Sequence, residues 1–541
     1  MTFEAAMVTS FLTFLLILTV LAASATLARK LTIAPAIVFL VVGIVIAFLP
    51  GFPRIEMKPE GVLLLVLPPL IYSAGVAMSW REVKHNLRPI ALLAIGCVIF
   101  TTVLVAAAAH WLLGMPWSVG FVLGAIVSPP DVVAPLAIAR RLKLPHRILV
   151  ILEGEGLAND ATALILYRFA VLAVSTGSFS LPVATETFAA ILLGEVLFGV
   201  AVGWLSLRLR KWAHDPRIEI SLSLLTPYLA FWVPEHLGGS GVLATVVTGL
   251  YVSWNGPLLI SSATRLQGIF FWDFVIWLIE GVLFLTIGFQ LRLLLEKAHA
   301  WPMDQIIIAI AITSAIVIIA RFLWVIPGTY LQQLLNRRHL AHDPVLPWHA
   351  VVVIGFTGIR GVVSLAVALA LPLTLPNGQE FPYRDLILFV SFGVIFVTLV
   401  GIGLTLPLVV KGLGLSHHGQ TEAIAEREAE IAARREILQS ARGSLNRIIA
   451  ERNLPESLAR FLEARHETRM RALPDPPTED GQPTPATRGA GLVREIITIE
   501  RTLLHKLLRD GKITDETRRR IERDLDLEEA AVDNREKNAP L

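Results

Sequence analysis

Thirteen apolar stretches, each long enough to cross ~30 Å of hydrocarbon as a helix, dominate this chain of 541 residues. With 54% hydrophobic and only 17% charged residues, the composition excludes a soluble protein of this size. The sequence therefore predicts an all-α polytopic membrane protein. The predicted spans are Met7–Leu27, Leu31–Leu49, Gly61–Met78, Pro89–Leu113, Val119–Ile138, Ile148–Val174, Phe188–Leu207, Ile218–Val233, Gly238–Val252, Phe271–Leu291, Ile306–Ile326, His349–Leu371 and Leu386–Val410.

The Lys and Arg residues of the predicted loops are distributed unequally between the two sides of the membrane. Sixteen lie in one set of alternate loops and five in the other. Because short loops rich in Lys and Arg stay in the cytoplasm, this predicts an external N-terminus and a cytoplasmic C-terminus. Topology thus accounts for the basic residues, and nothing in their pattern supports nucleic-acid binding. The single cysteine, Cys97, excludes an intrachain disulfide framework.

A change of composition after residue 411 divides the chain into a membrane domain, 1–411, and a charged cytoplasmic tail, 412–541. Within the tail, 422–452 is predicted to form a long polar helix, and 492–529 a helical hairpin. Between them, 474–489 is rich in Pro and Thr and predicts a flexible linker. Alternating arginines and acids are typical of a solvated helical tail that assists assembly or regulation.

Two of the predicted spans are interrupted. The fifth contains Ser128-Pro129-Pro130-Asp131, and consecutive prolines break a helix. The twelfth contains three glycines around Arg360, from Gly355 to Gly361. Irregular backbone at membrane depth is tolerated only where it is enclosed or lines a cavity. Because the breaks are seven spans apart, we predict two inverted six-helix repeats around a linking helix, with the broken helices 5 and 12 crossing at a binding site.

Three carboxylates, Glu153, Glu155 and Asp160, lie in the sixth span, where each is costly unless it has a function. At ~1.5 Å per residue, Glu155 and Arg321 lie at similar depths, so the two can form an ion pair. Asp160 lies deeper, near the midplane, with Asp131 as its nearest acidic neighbour.

Two carboxylates in a confined, partly wet pocket favour occupation by protons or by a cation. Oxygen ligands without His or thiolate favour an alkali cation. Cation/proton exchange fits this chemistry. A cation channel or an ion sensor that signals through the tail is one alternative. An intramembrane hydrolase that uses Glu153 and Asp160 is another, and the lack of histidine partners and of a nucleophile argues against it. No cofactor is expected.

Two other carboxylates, Glu195 and Glu280, also fall within predicted spans. We expect both to be satisfied by contacts between helices instead of binding ions.

The motifs resemble those of the bacterial sodium/proton antiporters in the monovalent cation:proton antiporter family, over about Met7 to Val410. The stretch Glu153–Asp160 is close to the family's E-G-E-S-x-x-N-D, and Gly358–Leu365 to its G-L-R-G-A-x-S-L. The resemblance implies a homodimeric, multi-pass antiporter in the inner (plasma) membrane, surrounded by lipids and active in pH homeostasis. It would exchange Na+ for H+ by alternating access.

The resemblance also implies roles for individual residues. Asp160 would bind the cation and the proton in turn, with Asp131 as the second acid that holds the alkali cation. Asn159 stands beside Asp160, and this Asn-Asp pair implies electroneutral exchange.

Other roles implied by the family are structural. Glu155 and Arg321 would form an ion pair, and Arg360 would stabilise the broken twelfth helix and its dipole ends. Glu153 is a candidate for the cytoplasmic entrance.

The sequence departs from the family in two motifs, and each departure removes a hydroxyl that could coordinate an ion. The family's Thr-Asp-Pro is here Pro130-Asp131-Val132, and its serine in E-G-E-S is Gly156. The backbone carbonyl of Pro130, or the backbone of Gly156 or a water above it, could substitute. Sodium is the expected ion, with Li+ and K+ as alternatives.

Overall fold

The chain folds almost entirely into helices. The computed structural model describes residues 3–50, 52, 61–177, 181–297, 301–335, 347–376, 378–471, 473, 485–510, 512 and 514–537. One isolated β-bridge joins Thr374 and Glu380 within this part. The helices are α1 Phe3–Leu31, α2 Pro35–Ala47, α3 Leu67–Ala77, α4 Trp80–His85, α5 Leu87–Leu113, α6 Trp117–Val127, α7 Val133–Arg141, α8 His146–Thr176, α9 Leu181–Ala213, α10 Pro216–His236, α11 Val242–Leu259, α12 Ser262–Lys297, α13 Met303–Leu335, α14 Trp348–Phe356, α15 Val362–Leu369, α16 Arg384–Gly412, α17 Leu415–Glu451, α18 Glu456–Arg471, α19 Pro485–Arg509 and α20 Asp515–Lys537.

Eight helices of the described part are long and apolar enough to cross a membrane, and they are α1, α5, α8, α9, α11, α12, α13 and α16. The shorter α2, α3 and α6 are also apolar. A helix that crosses hydrocarbon satisfies its own backbone hydrogen bonds, which is why an apolar chain of this kind becomes helical throughout. The chain is a multi-pass membrane protein.

The membrane helices sort into two groups by their packing. The α12 group contains α1–α3 and α9–α12, and the α8 group contains α5–α8 and α13–α16. Glycines let backbones approach closely inside each group. A Cβ atom at Gly43 of α2 would overlap the Leu285 carbonyl of α12, and one at Gly124 of α6 would overlap the Thr102 carbonyl of α5. The surface between the two groups is more open, and the candidate site lies there.

Side chains outside the helices fix where some of them begin. Asp215 caps α10, since its Oδ1 accepts from the backbone N–H of Arg217 at 2.8 Å. The start of α11 is capped from another helix, because the Glu195 carboxylate of α9 accepts from the N–H of Gly241 at 3.1 Å and of Leu243 at 3.1 Å. Gly241 adopts φ 66°, a left-handed conformation that favours glycine.

The chain divides into two compact units between His417 and His418. In the second unit, α19 and α20 form a hairpin whose small core contains Ile497, Leu504 and Leu525. Of the predicted linker 474–489, residues 474–484 lie outside the described residues, and α19 begins within the linker at Pro485.

Candidate ion-binding site

Arg360 closes the break in the fifth predicted span. The helix α6 ends at Val127, and Pro129-Pro130 supplies no N–H donors to continue it. The buried Arg360 guanidinium donates instead, from Nε to the Val127 carbonyl at 2.8 Å and from Nη2 to the Ser128 carbonyl at 3.1 Å. Its Nη1 donates to the Gly358 carbonyl at 2.5 Å. Arg360 was expected at the ends of the twelfth span, but two of these three bonds go to the fifth, whose carbonyls lack helical partners.

Asp131 lies where the two breaks meet. Its backbone N–H donates to the Ile359 carbonyl at 2.7 Å, which joins the two interrupted spans directly. Its Oδ1 accepts from the Val133 N–H at 2.9 Å and so caps the start of α7. A Cβ atom at Gly361 would overlap Cγ and Oδ2 of Asp131, so only glycine allows this approach. The carboxylate is therefore held from both sides.

Asn159 and Pro130, both predicted cation ligands, are bonded to each other. The Asn159 Nδ2 donates to the Pro130 carbonyl at 2.6 Å. The Asn159 Oδ1 is fully buried and has no hydrogen-bond partner in the described part of the chain. Asn159 therefore uses its donor to hold the fifth-span break against α8, while its oxygen keeps its capacity to accept.

Glu155 and Arg321 form a buried, bidentate ion pair. Nη1 of Arg321 donates to Oε1 of Glu155 at 2.5 Å, and Nη2 donates to Oε2 at 2.8 Å. Both side chains are almost fully buried. Arg321 also donates to the Ile354 carbonyl at 2.9 Å and to Thr357 Oγ1 at 3.2 Å, so it supports the end of α14 as well.

A cavity of about 150 Å³ lies between the two helix groups. Residues of α3 and α12 form one wall, and residues of the fifth-span break, α7, α8 and α15 form the other. Five charged side chains line it: Asp131, Arg140, Glu153, Asp160 and Glu280. Nη2 of Arg140 lies 2.6 Å from Oε1 of Glu153. Asp160 and Glu280 form no hydrogen bond or ion pair within the residues that the structure describes.

A family model described as "Sodium/hydrogen exchanger, transmembrane" matches residues 15–412. The chain belongs to the sodium/hydrogen exchanger family. An uncharacterized Na(+)/H(+) exchanger of Mycobacterium tuberculosis, Rv2287, is 33% identical to this exchanger over 517 residues, covering 94% of this chain and 93% of the relative. A sodium, potassium, lithium and rubidium/H(+) antiporter of Bacillus subtilis is 31% identical over 524 residues, covering 94% and 76%.

The solved structure of the sodium proton antiporter MjNhaP1 from Methanocaldococcus jannaschii has the same fold. It aligns with a TM-score of 0.57 at 18% identity and covers 73% of this exchanger and 99% of MjNhaP1. The family's members are transporters. No group of three or more His, Cys, Asp or Glu side chains in the described ranges is arranged to hold a metal ion together.

Val132 occupies the space beside Gly156 in this exchanger. A Cβ atom at Gly156 would overlap both methyl groups of Val132. The valine side chain therefore fills the space that a side chain at position 156 would occupy. That the backbone of Gly156 or a water above it replaces the missing hydroxyl stays a prediction. The two departures from the family motifs are in direct contact, which the sequence alone did not reveal.

The two remaining intramembrane carboxylates have different surroundings. Glu195 accepts hydrogen bonds from the backbone N–H of Ser240 at 2.5 Å and from its hydroxyl at 3.1 Å, as an interhelical partner should. Glu280 was expected to be satisfied in the same way, but it lines the cavity and forms no hydrogen bond or ion pair with the described residues. Its position in the sequence could have indicated this role, since a carboxylate in the middle of a long apolar helix such as α12 indicates function.

An ion pair joins the two helix groups away from the cavity. Nη2 of Arg168, on α8, lies 2.5 Å from Oε1 of Glu235, on α10. Nη1 of Arg168 donates to the Gly238 carbonyl at 3.1 Å. Because Arg168 follows Asp160 by two turns of α8, this pair lies on the side opposite to Arg140 and Glu153.

Proposed function

We propose that this exchanger is a secondary-active antiporter that exchanges Na+ for H+ at Asp160 and Asp131. The observation that carries the proposal is the cavity between the helix groups, which Asp160 and Asp131 both line and where Asp160 forms no hydrogen bond or ion pair with the residues that the structure describes. Two carboxylates that line one small cavity influence each other's occupation. Family membership supports the same activity.

Electrostatic repulsion between the two carboxylates couples the transport of the cation to the transport of the proton. Two carboxylates that face one confined cavity repel each other and are poorly hydrated, so they are neutralised by a proton or by a cation. A site without either would carry an unpaired negative charge through a low-dielectric region, at a cost of several kcal/mol. Only the occupied site therefore crosses, so one crossing carries the cation, the return crossing carries the proton, and the two together exchange one for the other.

The location of the cavity supports alternating access. Its two walls belong to different helix groups, so a movement of the α8 group against the α12 group would carry Asp131 and Asp160 from one side of the membrane to the other. The Arg140–Glu153 pair would border the cytoplasmic opening. The Arg168–Glu235 pair would close the opposite side in this conformation.

The wider assembly belongs to the same proposal. It comprises thirteen spans in two inverted six-helix repeats, an external N-terminus, and a cytoplasmic tail as a second domain. The protein would work as a homodimer in the plasma membrane. The neutral Asn159 beside Asp160 supports electroneutral exchange of one cation for one proton. The Glu155–Arg321 pair would keep its own charges out of the cycle, since each satisfies the other.

Proteoliposomes with an internal pH-reporting dye test the proposal. An outward Na+ gradient should acidify the lumen in vesicles that contain the wild-type protein, and Asp160→Asn should abolish the response. Asp304→Asn, which removes a carboxylate from the first turn of α13 outside the cavity, serves as the matched control and should exchange normally. Exchange that persists in Asp160→Asn would refute the site.

Potassium or lithium is the alternative substrate. The B. subtilis relative is named for four alkali cations, and the hydroxyl that the family places at position 156 is absent here. Running the same assay with Na+, Li+ and K+ in turn measures the selectivity. A K+ response that exceeds the Na+ response would reassign the substrate and keep the mechanism.

A further inference from the structure

Glu280 faces the two proposed ion-binding carboxylates from the other helix group. It lies near the middle of α12, a helix of 36 residues, as Asp160 lies near the middle of α8, a helix of 31. Both side chains line the same cavity, which Asp131 also lines. Glu280 is thus the acidic group on the α12-group wall of a cavity whose other acids belong to the α8 group.

Glu280 lacks a structural counter-charge in the described part of the chain. It has no hydrogen bond or ion pair to any residue that the structure describes. Among the described residues that line the cavity, the basic side chain is Arg140, and it is paired with Glu153. A carboxylate at membrane depth without a structural partner is costly, and it persists where a mobile counter-ion neutralises it.

The acids of the cavity do not converge into one ligand cage in the described part of the chain. Glu280 therefore cannot share a single dehydrated ion with both Asp131 and Asp160 in this conformation. Its negative charge can still attract a hydrated cation into the cavity, because a low-dielectric wall concentrates the field of a charge that lines it.

We propose that Glu280 recruits the transported cation from the α12-group wall and passes it to Asp131 and Asp160. This inference depends on the antiport function proposed above. It assigns Glu280 as a positioning residue that raises the local cation concentration without taking part in the exchange at Asp160. The consequence is a defined kinetic signature, since removal of the charge weakens cation capture and leaves the later steps intact.

The test is Na+ titration of exchange in proteoliposomes that contain wild type, Glu280→Gln or Asp273→Asn. Asp273 lies two turns earlier on α12 and does not line the cavity, so it is the matched control for charge on that helix. At low ionic strength we expect Glu280→Gln to raise the half-saturating Na+ concentration on the order of tenfold, with the maximal rate within about twofold of wild type. Asp273→Asn should match wild type.

Screening provides a readout that a purely structural role would not change. Added choline chloride should narrow the difference between wild type and Glu280→Gln, because salt weakens the field of a water-accessible charge. An unchanged half-saturating Na+ concentration in Glu280→Gln would overturn the inference, and so would a lost maximal rate at unchanged half-saturation. Either result leaves the antiport proposal intact, because that proposal is tested separately by the exchange activity of Asp160→Asn.

A second variant keeps the test decisive if Glu280→Gln does not assemble. Glu280→Cys in a Cys97→Ser background can be labelled in the membrane, after folding, with a sulfonate-bearing or a neutral methanethiosulfonate. The sulfonate label should lower the half-saturating Na+ concentration relative to the neutral label. Equal values for the two labels would refute recruitment by charge.

Discussion

Arg321 donates two parallel hydrogen bonds to the Glu155 carboxylate, at 2.5 and 2.8 Å, and both side chains are almost fully buried. This pair ties α13 to α8 one turn before Asp160. Removing one partner leaves the other as an uncompensated buried charge, so Glu155→Gln should destabilise the protein by about 3–5 kcal/mol. Thermal unfolding in detergent measures the loss.

The matched control for this pair is Glu296→Gln. Glu296 faces Arg292 across one turn of α12, with both side chains about a third exposed. An exposed pair of this kind contributes at most about 1 kcal/mol, so the melting temperature should barely change. If the two variants lose equal stability, the buried Glu155–Arg321 pair stabilises the protein no more than an exposed pair does.

Gly361 sets the position of the Asp131 carboxylate. A methyl group there would overlap Asp131, so Gly361→Ala should push the carboxylate away from the crossing and slow exchange on the order of tenfold or more. The control is Gly401→Ala, because a Cβ atom at Gly401 meets no atom within 4 Å. Proteoliposome exchange at saturating Na+ compares the two. Normal exchange in Gly361→Ala would show that Asp131 tolerates displacement.

Gly156 and Val132 should behave as one unit. Gly156→Ser restores a hydroxyl but drives its side chain into the Val132 methyl groups, at a cost of about 1–3 kcal/mol. Val132→Ala makes room for it, so the double variant should be more stable than the sum of the single effects predicts, by at least about 0.5 kcal/mol. Thermal unfolding of the four proteins completes the cycle. Strict additivity would mean that the two side chains do not compete for space.

The Arg168–Glu235 pair should favour the conformation described here. It joins the two helix groups, and both side chains are about a third exposed, so its loss should cost at most about 1 kcal/mol. That corresponds to a change of at most about fivefold in the equilibrium constant between the two conformations. Labelling of Ala74→Cys on the cavity wall, in a Cys97→Ser background, should slow by up to this factor in inverted vesicles when Glu235→Gln is added. Unchanged labelling would exclude the pair as a lock.

Electroneutral exchange predicts that the rate is indifferent to membrane voltage. An uncompensated charge would feel roughly 2.3 kcal/mol per 100 mV, so a potassium–valinomycin potential imposed at fixed pH difference should change an electrogenic rate severalfold. We expect no change here. A voltage-dependent rate would refute electroneutral exchange.

The sequence alone identified the class of protein and the depth of its charged residues. Apolar spans, paired prolines and a glycine cluster act locally, and a bilayer leaves a chain no alternative to helices, so the helical multi-pass class and the two breaks were predictable. The Glu155–Arg321 pairing was anticipated for the same reason, because depth follows from counting residues along a helix. The Glu153–Asp160 and Gly358–Leu365 motifs then connected these positions to a family.

Only the tertiary structure decided which way each side chain faces. Arg360 donates a hydrogen bond to a carbonyl of α6, and the Asn159 amide donates one to the Pro130 carbonyl. The Val132 methyl groups lie over Gly156. Glu280 faces the cavity instead of a neighbouring helix. None of this follows from depth, since the rotation and tilt of a membrane helix are set by packing against its neighbours. The sequence by itself determined that these charges lie inside the membrane; the packing of the two helix groups decided which of them face the cavity together.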